Sequence, residues 1–106
     1  MKRIVVTPTD HGGSFDLPSQ GTIEVRLPEY PPSLYQWTPY PIERHLLSMT
    51  AQRFYANRSK ADSGGNRVFE FQAGNAGTTT LRFKLFRAWE GDKSIIERFE
   101  VTVNVG

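Results

Sequence analysis

The chain of 106 residues contains no cysteine and only two histidines. Without cysteine there is no disulfide and no thiolate, so the fold must be stabilised by packing alone. A zinc site needs three or four clustered His, Cys or carboxylate ligands, and the sequence offers no such cluster. His11 and His45 lie in no motif that would activate a nucleophile. We therefore predict no metal, no cofactor and no catalytic residue, and the chain is not expected to be an enzyme.

Long apolar runs and strong charge are also missing. No segment approaches the roughly 20 apolar residues that span a bilayer, and the apolar stretch at the start ends at Thr7 and Pro8, too early for a signal peptide. The net charge is only +2, and the basic residues are spread along the chain, which argues against nucleic acid as a partner. We expect no membrane partner. No signal peptide is visible, so the compartment stays open, with the cytoplasm favoured.

One basic stripe could line an outer face of the predicted fold, with Phe86 interleaved: Arg82, Lys84, Arg87 and Arg98. Such a stripe can bind single-stranded nucleic acid through stacking and charge. Cross-strand ion pairs to Glu97 and Glu100 explain it without a ligand, and they are the preferred interpretation.

The chain does have aromatic side chains and regular alternation. Aromatics make up 12% of the residues, and apolar residues recur at every second position in several stretches, as in half-buried strands. The inward-facing residues are expected to include Ile23, Val25, Leu27, Leu81, Phe83, Leu85, Phe99, Val101, Val103 and Val105. Shorter strands are predicted at 4–6, 15–17 and 35–37 and at Phe69 to Phe71. Residues 41–55 fit a strand, a short helical turn or both, with a strand preferred from Leu47 to Tyr55. Residues 1–106 are therefore predicted to form a single all-β domain, an immunoglobulin-like antiparallel β-sandwich of about seven or eight strands.

Three segments between strands are rich in residues that often form binding surfaces. The first, residues 30–34, is aromatic and proline-rich, which makes it rigid. The second, residues 62–65, ends in two glycines within a long exposed loop from Ala56 to Asn66, and predicts a positive φ or a close backbone approach. The third is Arg87-Ala88-Trp89. Loops of a sandwich collect at its ends, so the three could form one surface.

In these segments the sequence resembles the chagasin family, inhibitors of papain-like cysteine peptidases. The family motif Asn-Pro-Thr-Thr-Gly, followed by Trp, corresponds to residues 30–34 and Trp37, with Pro31 identical and Ser33 similar. The motif Gly-x-Gly-Gly corresponds to 62–65, where the last two glycines are kept. The motif Arg-Pro-Trp corresponds to 87–89. The similarity extends over most of the chain, including the turn at Ala76-Gly77 and the last strand.

The resemblance implies an inhibitor with an immunoglobulin-like fold that occludes the peptidase cleft reversibly. The first loop would enter the cleft, Arg87 and Trp89 would contact its rim, and Trp37 would support the first loop from below. The implied partner is a papain-like cysteine peptidase, own or foreign, bound by a monomer. The implied peptidase-binding residues are Tyr30, Pro31, Pro32, Ser33, Leu34, Asp62, Ser63, Gly64, Gly65, Arg87, Ala88 and Trp89.

The first loop departs from the family motif at its tip. Tyr30 and Leu34 stand where the family has Asn and Gly, and Pro32 removes a backbone donor. A leucine disfavours the positive φ that glycine permits, so we expect a loop of different shape. Two alternatives stay open: a non-inhibitory immunoglobulin-like interaction domain, or a carbohydrate-binding domain that uses Trp89 or Tyr30. Trp37 and Trp89 could also simply pack the ends of the sandwich.

Overall fold

Eight β-strands form two four-stranded sheets among residues 2–58 and 64–106, the part of the chain that this computed structural model describes. The strands are β1 (Arg3–Val6), β2 (Ser14–Leu17), β3 (Thr22–Glu29), β4 (Gln36–Pro39), β5 (Leu47–Ala56), β6 (Gly65–Ala73), β7 (Gly77–Phe86) and β8 (Glu97–Val105). The first sheet has the order β1-β3-β6-β5, and the second has the order β2-β8-β7-β4. The predicted all-β sandwich is confirmed, and the strand preferred for 47–55 is β5.

The hydrophobic core lies between the two sheets and is rich in phenylalanine. The Phe83 ring of the second sheet lies 4.9 Å from the Phe69 ring and 6.1 Å from the Phe71 ring of the first, measured between centroids. All ten residues predicted to face inward are buried, with at most 8% of their surface exposed. Alternation therefore identified the core correctly, because each strand presents one face to the other sheet.

The N-terminal segment is divided between the sheets. The sequence predicted a strand at 4–6 that restarts at 15–17, but β1 pairs with β3 of the first sheet and β2 pairs with β8 of the second. Both pairings are parallel, so the sheets are mixed and not purely antiparallel as predicted. The chain changes sheets through the turn after Pro8, where Gly12 has a φ of 82° and its N–H donates to the Glu100 carbonyl at 2.8 Å.

The connection between β5 and β6 is shorter than predicted. The sequence suggested a loop from Ala56 to Asn66, but the two strands stay paired up to Ala56 and Gly65. A side chain at Gly65 would place its Cβ 2.1 Å from the Tyr55 carbonyl oxygen, so this glycine permits the close backbone approach predicted for the Gly-Gly pair.

Basic residues of the predicted stripe form ion pairs on the outer face of the second sheet. Arg82 lies 3.8 Å from the Glu100 carboxylate across the strand pair, and Lys84 lies 2.8 Å from Asp92. The Lys84 ammonium also lies 4.3 Å from the centre of the Phe86 ring, which is only 9% exposed although it was predicted to face outward. Charge pairing therefore accounts for Arg82 and Lys84, with Glu100 as predicted and Asp92 as a partner that the sequence did not indicate. No helix of the described residues is long and apolar enough to cross a membrane.

Candidate functional site

Three loops meet at one end of the sandwich. Loop 1 (residues 30–35) joins β3 to β4, loop 2 (57–64) joins β5 to β6, and loop 3 (87–96) joins β7 to β8. The last residue of β3, Glu29, is opposite Gly65 at the start of β6. The first residue of β4, Gln36, is opposite Phe86 at the end of β7. The strand pairing thus brings the predicted segments to the same end, although Asp62 and Ser63 lie outside the described residues.

Loop 1 is a compact turn closed by its own hydrogen bonds. Pro31–Ser33 form one turn of 3-10 helix, in which the Ser33 hydroxyl donates to the Tyr30 carbonyl at 2.7 Å and the Leu34 N–H donates to the Pro31 carbonyl at 2.9 Å. Leu34 ends this turn in the left-handed conformation, with a φ of 68°. The expectation that leucine would avoid the positive φ is therefore wrong. The left-handed conformation is one that commonly follows a helical turn.

The two tryptophans have opposite environments. Trp37 is 1% exposed, and its indole N–H donates to the Pro28 carbonyl at 2.7 Å, so it lies beneath loop 1. Trp89 is 66% exposed on a short 3-10 turn of loop 3. Packing at the end of the sandwich thus accounts for Trp37 but not for Trp89.

Arg87 joins loop 3 to loop 1. Its guanidinium donates to the Ser33 carbonyl at 3.0 and 3.3 Å and lies 4.3 Å from the centre of the Tyr35 ring. It also lies 3.5 Å from the Glu90 carboxylate. In the free protein the Arg87 charge therefore holds the two loops together, whereas the neighbouring Trp89 side chain projects into solvent.

Loop 2 packs against the start of loop 1 through a glycine. Gly64 has a φ of 73°, and a Cβ there would lie 2.6 Å from the Glu29 carbonyl oxygen and 3.2 Å from the Tyr30 Cα. Only glycine combines this conformation with this proximity. The predicted positive φ in the Gly-Gly pair is confirmed at Gly64.

Two apolar residues of this end were not predicted as site residues. Tyr55 at the end of β5 is 52% exposed, and Ile96 just before β8 is 60% exposed. In the sequence both look like core residues, because each is apolar and lies in or next to a strand. The structure shows that they face solvent, because each lies where its strand reaches the loops. Five of the seven exposed large apolar side chains among the described residues lie at this end: Tyr30, Leu34, Tyr55, Trp89 and Ile96. An exposed cluster of this kind is typical of a protein-binding surface.

The described residues at this end have the features of a binding surface. Within residues 2–58 and 64–106, no three potential metal ligands come together. The His11 Nδ1 accepts a hydrogen bond from the Glu100 N–H at 3.1 Å, and His45 lies 3.9 Å from the exposed Glu43. Each histidine thus has a local partner.

Comparison with known proteins places this geometry in a family context. The family model described as chagasin family peptidase inhibitor I42 matches residues 16–103. No curated protein sequence matches the chain.

Solved structures show the same fold at low sequence identity. The cysteine protease inhibitor EhICP2 from Entamoeba histolytica has a TM-score of 0.88 and 18% identity, covering 100% of this chain and 97% of its own. Amebosin has a TM-score of 0.81 and 19% identity, with 100% of both chains covered. PbICP-C, solved in complex with falcipain-2, has a TM-score of 0.71 and 10% identity, again over 100% of both chains.

Proposed function

The chain belongs to the chagasin family of peptidase inhibitors, whose targets are papain-like cysteine peptidases, and we propose that it covers the cleft of such a peptidase with loops 1, 2 and 3. Family membership makes it an inhibitor and not an enzyme. Loop 1 forms a wedge that enters the cleft, and loops 2 and 3 contact the two sides. No bond is made or broken, so inhibition is reversible.

The observation that carries this proposal is the exposed apolar cluster at the loop end. Its three most exposed residues are Trp89, Ile96 and Leu34, at 66%, 60% and 59%. Large apolar and aromatic side chains gain the most when a partner removes them from water. Their removal from water would drive association with the rim of the cleft.

Loops 1 and 3 are held together before a partner binds. Arg87 links loop 3 to loop 1 through the Ser33 carbonyl, and the turn at Pro31–Ser33 is closed internally. Loops that already have their bound shape lose little conformational entropy on association. We propose that the chain acts as a monomer that binds one peptidase molecule, since loops 1 and 3 and the described ends of loop 2 lie at one end of one chain.

Titration of papain with the folded chain tests this function. We expect peptidase activity to fall in proportion to added inhibitor and to return on dilution as the complex dissociates. A folded chain that leaves papain active at micromolar concentration would contradict the proposal and favour a non-inhibitory interaction domain. Chemical-shift changes of Trp89 or Tyr30 with oligosaccharides would instead favour the carbohydrate-binding alternative.

The Trp89→Ala variant tests the surface itself. We expect the inhibition constant to rise at least tenfold. The truncation of an aromatic anchor typically lowers the binding free energy by about 1.4 kcal/mol or more. The melting temperature should stay within about 1 °C, since Trp89 is exposed and packs little.

Met49→Ala is the matched control for this variant. Met49 is 45% exposed, but it lies near the start of β5, at the other end of the strand from loop 2. Its truncation should change neither inhibition nor stability. An equal loss of inhibition in both variants would show that the loop end is not the binding surface.

A further inference from the structure

We propose that the buried ion pair between Glu29 and Arg67 positions loop 1 against strands β5 and β6 for inhibition, so that both are positioning residues outside the loops. This inference rests on the proposed function, because it assigns a role within the same inhibitory end. Neither side chain belongs to the three motifs that carry the family resemblance.

Glu29 closes the base of loop 1. It is the last residue of β3, and its side chain is only 1% exposed. Its Oε1 accepts a hydrogen bond from the backbone N–H of Trp37 at 2.8 Å, on the far side of the loop. Because β3 belongs to the first sheet and β4 to the second, this contact also joins the two sheets at the loop end. The single carboxylate thereby fixes the distance between the two ends of loop 1.

Arg67 connects the same carboxylate to loop 2. Its Nε and Nη2 donate to the Glu29 Oε2 at 3.0 and 2.5 Å, a forked contact that sets direction as well as distance. Arg67 lies on β6, which leaves loop 2, and its guanidinium lies 5.2 Å from the centre of the Phe54 ring on β5, which enters loop 2. The pair therefore touches both strands that flank loop 2 and both ends of loop 1.

The cost of burying this pair supports a positioning role. A buried ion pair gains little net stability, because the desolvation of both charges offsets their attraction. Its forked geometry, in contrast, allows few relative placements of β3, β4 and β6. If the pair is broken, loop 1 can move relative to β5 and β6, and only part of the population keeps the shape that fits the cleft. The apparent affinity then falls in proportion to that fraction.

A second buried carboxylate on the same strand provides the control. Glu24 of β3 is 4% exposed and is ion-paired with Arg3 and Arg26. It lies on the opposite face of the sheet from Glu29 and away from the loops. Glu24→Gln and Glu29→Gln therefore make the same chemical change in the same strand, and only Glu29 touches the base of loop 1.

The experiment measures papain inhibition by the wild type, Glu29→Gln and Glu24→Gln, with association and dissociation rates recorded separately. Each protein is first shown to be folded by its circular dichroism and urea unfolding curve. We expect Glu29→Gln to lower the association rate constant by about tenfold with dissociation nearly unchanged, because fewer molecules have the competent shape. Glu24→Gln should inhibit like the wild type, even where it lowers stability.

Arg67→Lys keeps the charge but loses the forked contact, and it decides the result if Glu29→Gln does not fold. We expect a severalfold slower association for this variant and faster hydrogen exchange at the Trp37 amide. Equal inhibition by the wild type, Glu29→Gln and Arg67→Lys would overturn the positioning role while leaving the inhibitor function intact. A wild-type chain that does not inhibit papain would instead remove the proposed function itself.

Discussion

Leu34 combines two unfavourable features at the tip of loop 1. Its φ of 68° is a conformation that costs a residue with a side chain about 1–2 kcal/mol, and the residue is 59% exposed. Backbone strain of this kind concentrates at functional sites. We therefore interpret the Leu34 side chain as a contact that enters an apolar part of the peptidase cleft.

The Leu34→Gly variant should be more stable and a weaker inhibitor. Glycine adopts the positive φ without strain, so we expect the free energy of unfolding to rise by about 0.5–1 kcal/mol after the extra entropy of the unfolded chain is subtracted. The inhibition constant should rise severalfold because the apolar contact is lost. Urea unfolding and papain titration measure the two quantities. Leu34→Ala is the control, since it loses the contact but keeps most of the strain. Lower stability of Leu34→Gly would contradict this interpretation.

The sequence could suggest the position of Leu34 but not its conformation. Side-chain preference alone predicts that leucine avoids a positive φ, and nothing in residues 30–34 shows that the turn at Pro31–Ser33 ends in that conformation. Glu29 was overlooked for a similar reason. Nothing in a strand pattern shows that a carboxylate at its end will reach Trp37 and Arg67 across the sandwich.

At the scale of the strands, ion pairs connect neighbouring strands on the outer face of the first sheet. Arg3 of β1 pairs with Glu24 of β3 and lies 3.0 Å from Glu70 of β6, and Arg53 of β5 lies 3.2 Å from the same Glu70. Glu24 and Glu70 are directly opposite each other in the strand pairing. The arginines thus separate two carboxylates that would otherwise repel, and they connect all four strands of this sheet.

This network predicts a pH-dependent stability. Burial by itself raises the pKa of the Glu24 carboxyl, but hydrogen bonds from Arg26 and Arg3 outweigh it, and the pKa lies below its ordinary value. A carboxyl with a lowered pKa stabilises the fold above its unfolded pKa, about 4.3 for Glu, and this stability is lost as the pH falls through the folded pKa. Glu24→Gln should therefore be less stable than the wild type at pH 7, and the difference should shrink below about pH 4. Urea midpoints across this range measure it, and a difference that is constant with pH would contradict the prediction.

The strands themselves were largely predictable, because each long strand shows its period of two in its own residues. Residues 81–85 and 99–105 are examples, and their alternation needs no knowledge of the partner strand. The allocation of short strands to sheets was not predictable. β1 and β2 have only four residues each, too few to predict which strand each pairs with. The chain turns at Gly12 between them, and they pair in parallel in different sheets.

At the scale of the whole molecule, the proposed binding surface and the hydrophobic core are located in different places. The three loops were predicted to share one surface from the rule that sandwich loops collect at the ends. The full extent of that surface depends on how strands end: Tyr55 and Ile96 look like core residues in the sequence, yet they are exposed at 52% and 60%. The core lies between the sheets, where Phe83 touches three other phenylalanine rings with centroids 4.9 to 6.1 Å away.

Phe83→Leu tests this separation. The leucine fills most of the volume but loses the aromatic contacts, so we expect the free energy of unfolding to fall by about 1.5 kcal/mol. Because β7 keeps its pairing with β4 and β8, the loop end should keep its geometry, and the folded protein should inhibit papain with an unchanged inhibition constant. Urea unfolding and papain titration of the same preparation measure both. A large loss of inhibition in protein that is still folded would mean that core packing is transmitted to the loops, and that stability and binding are coupled through β7.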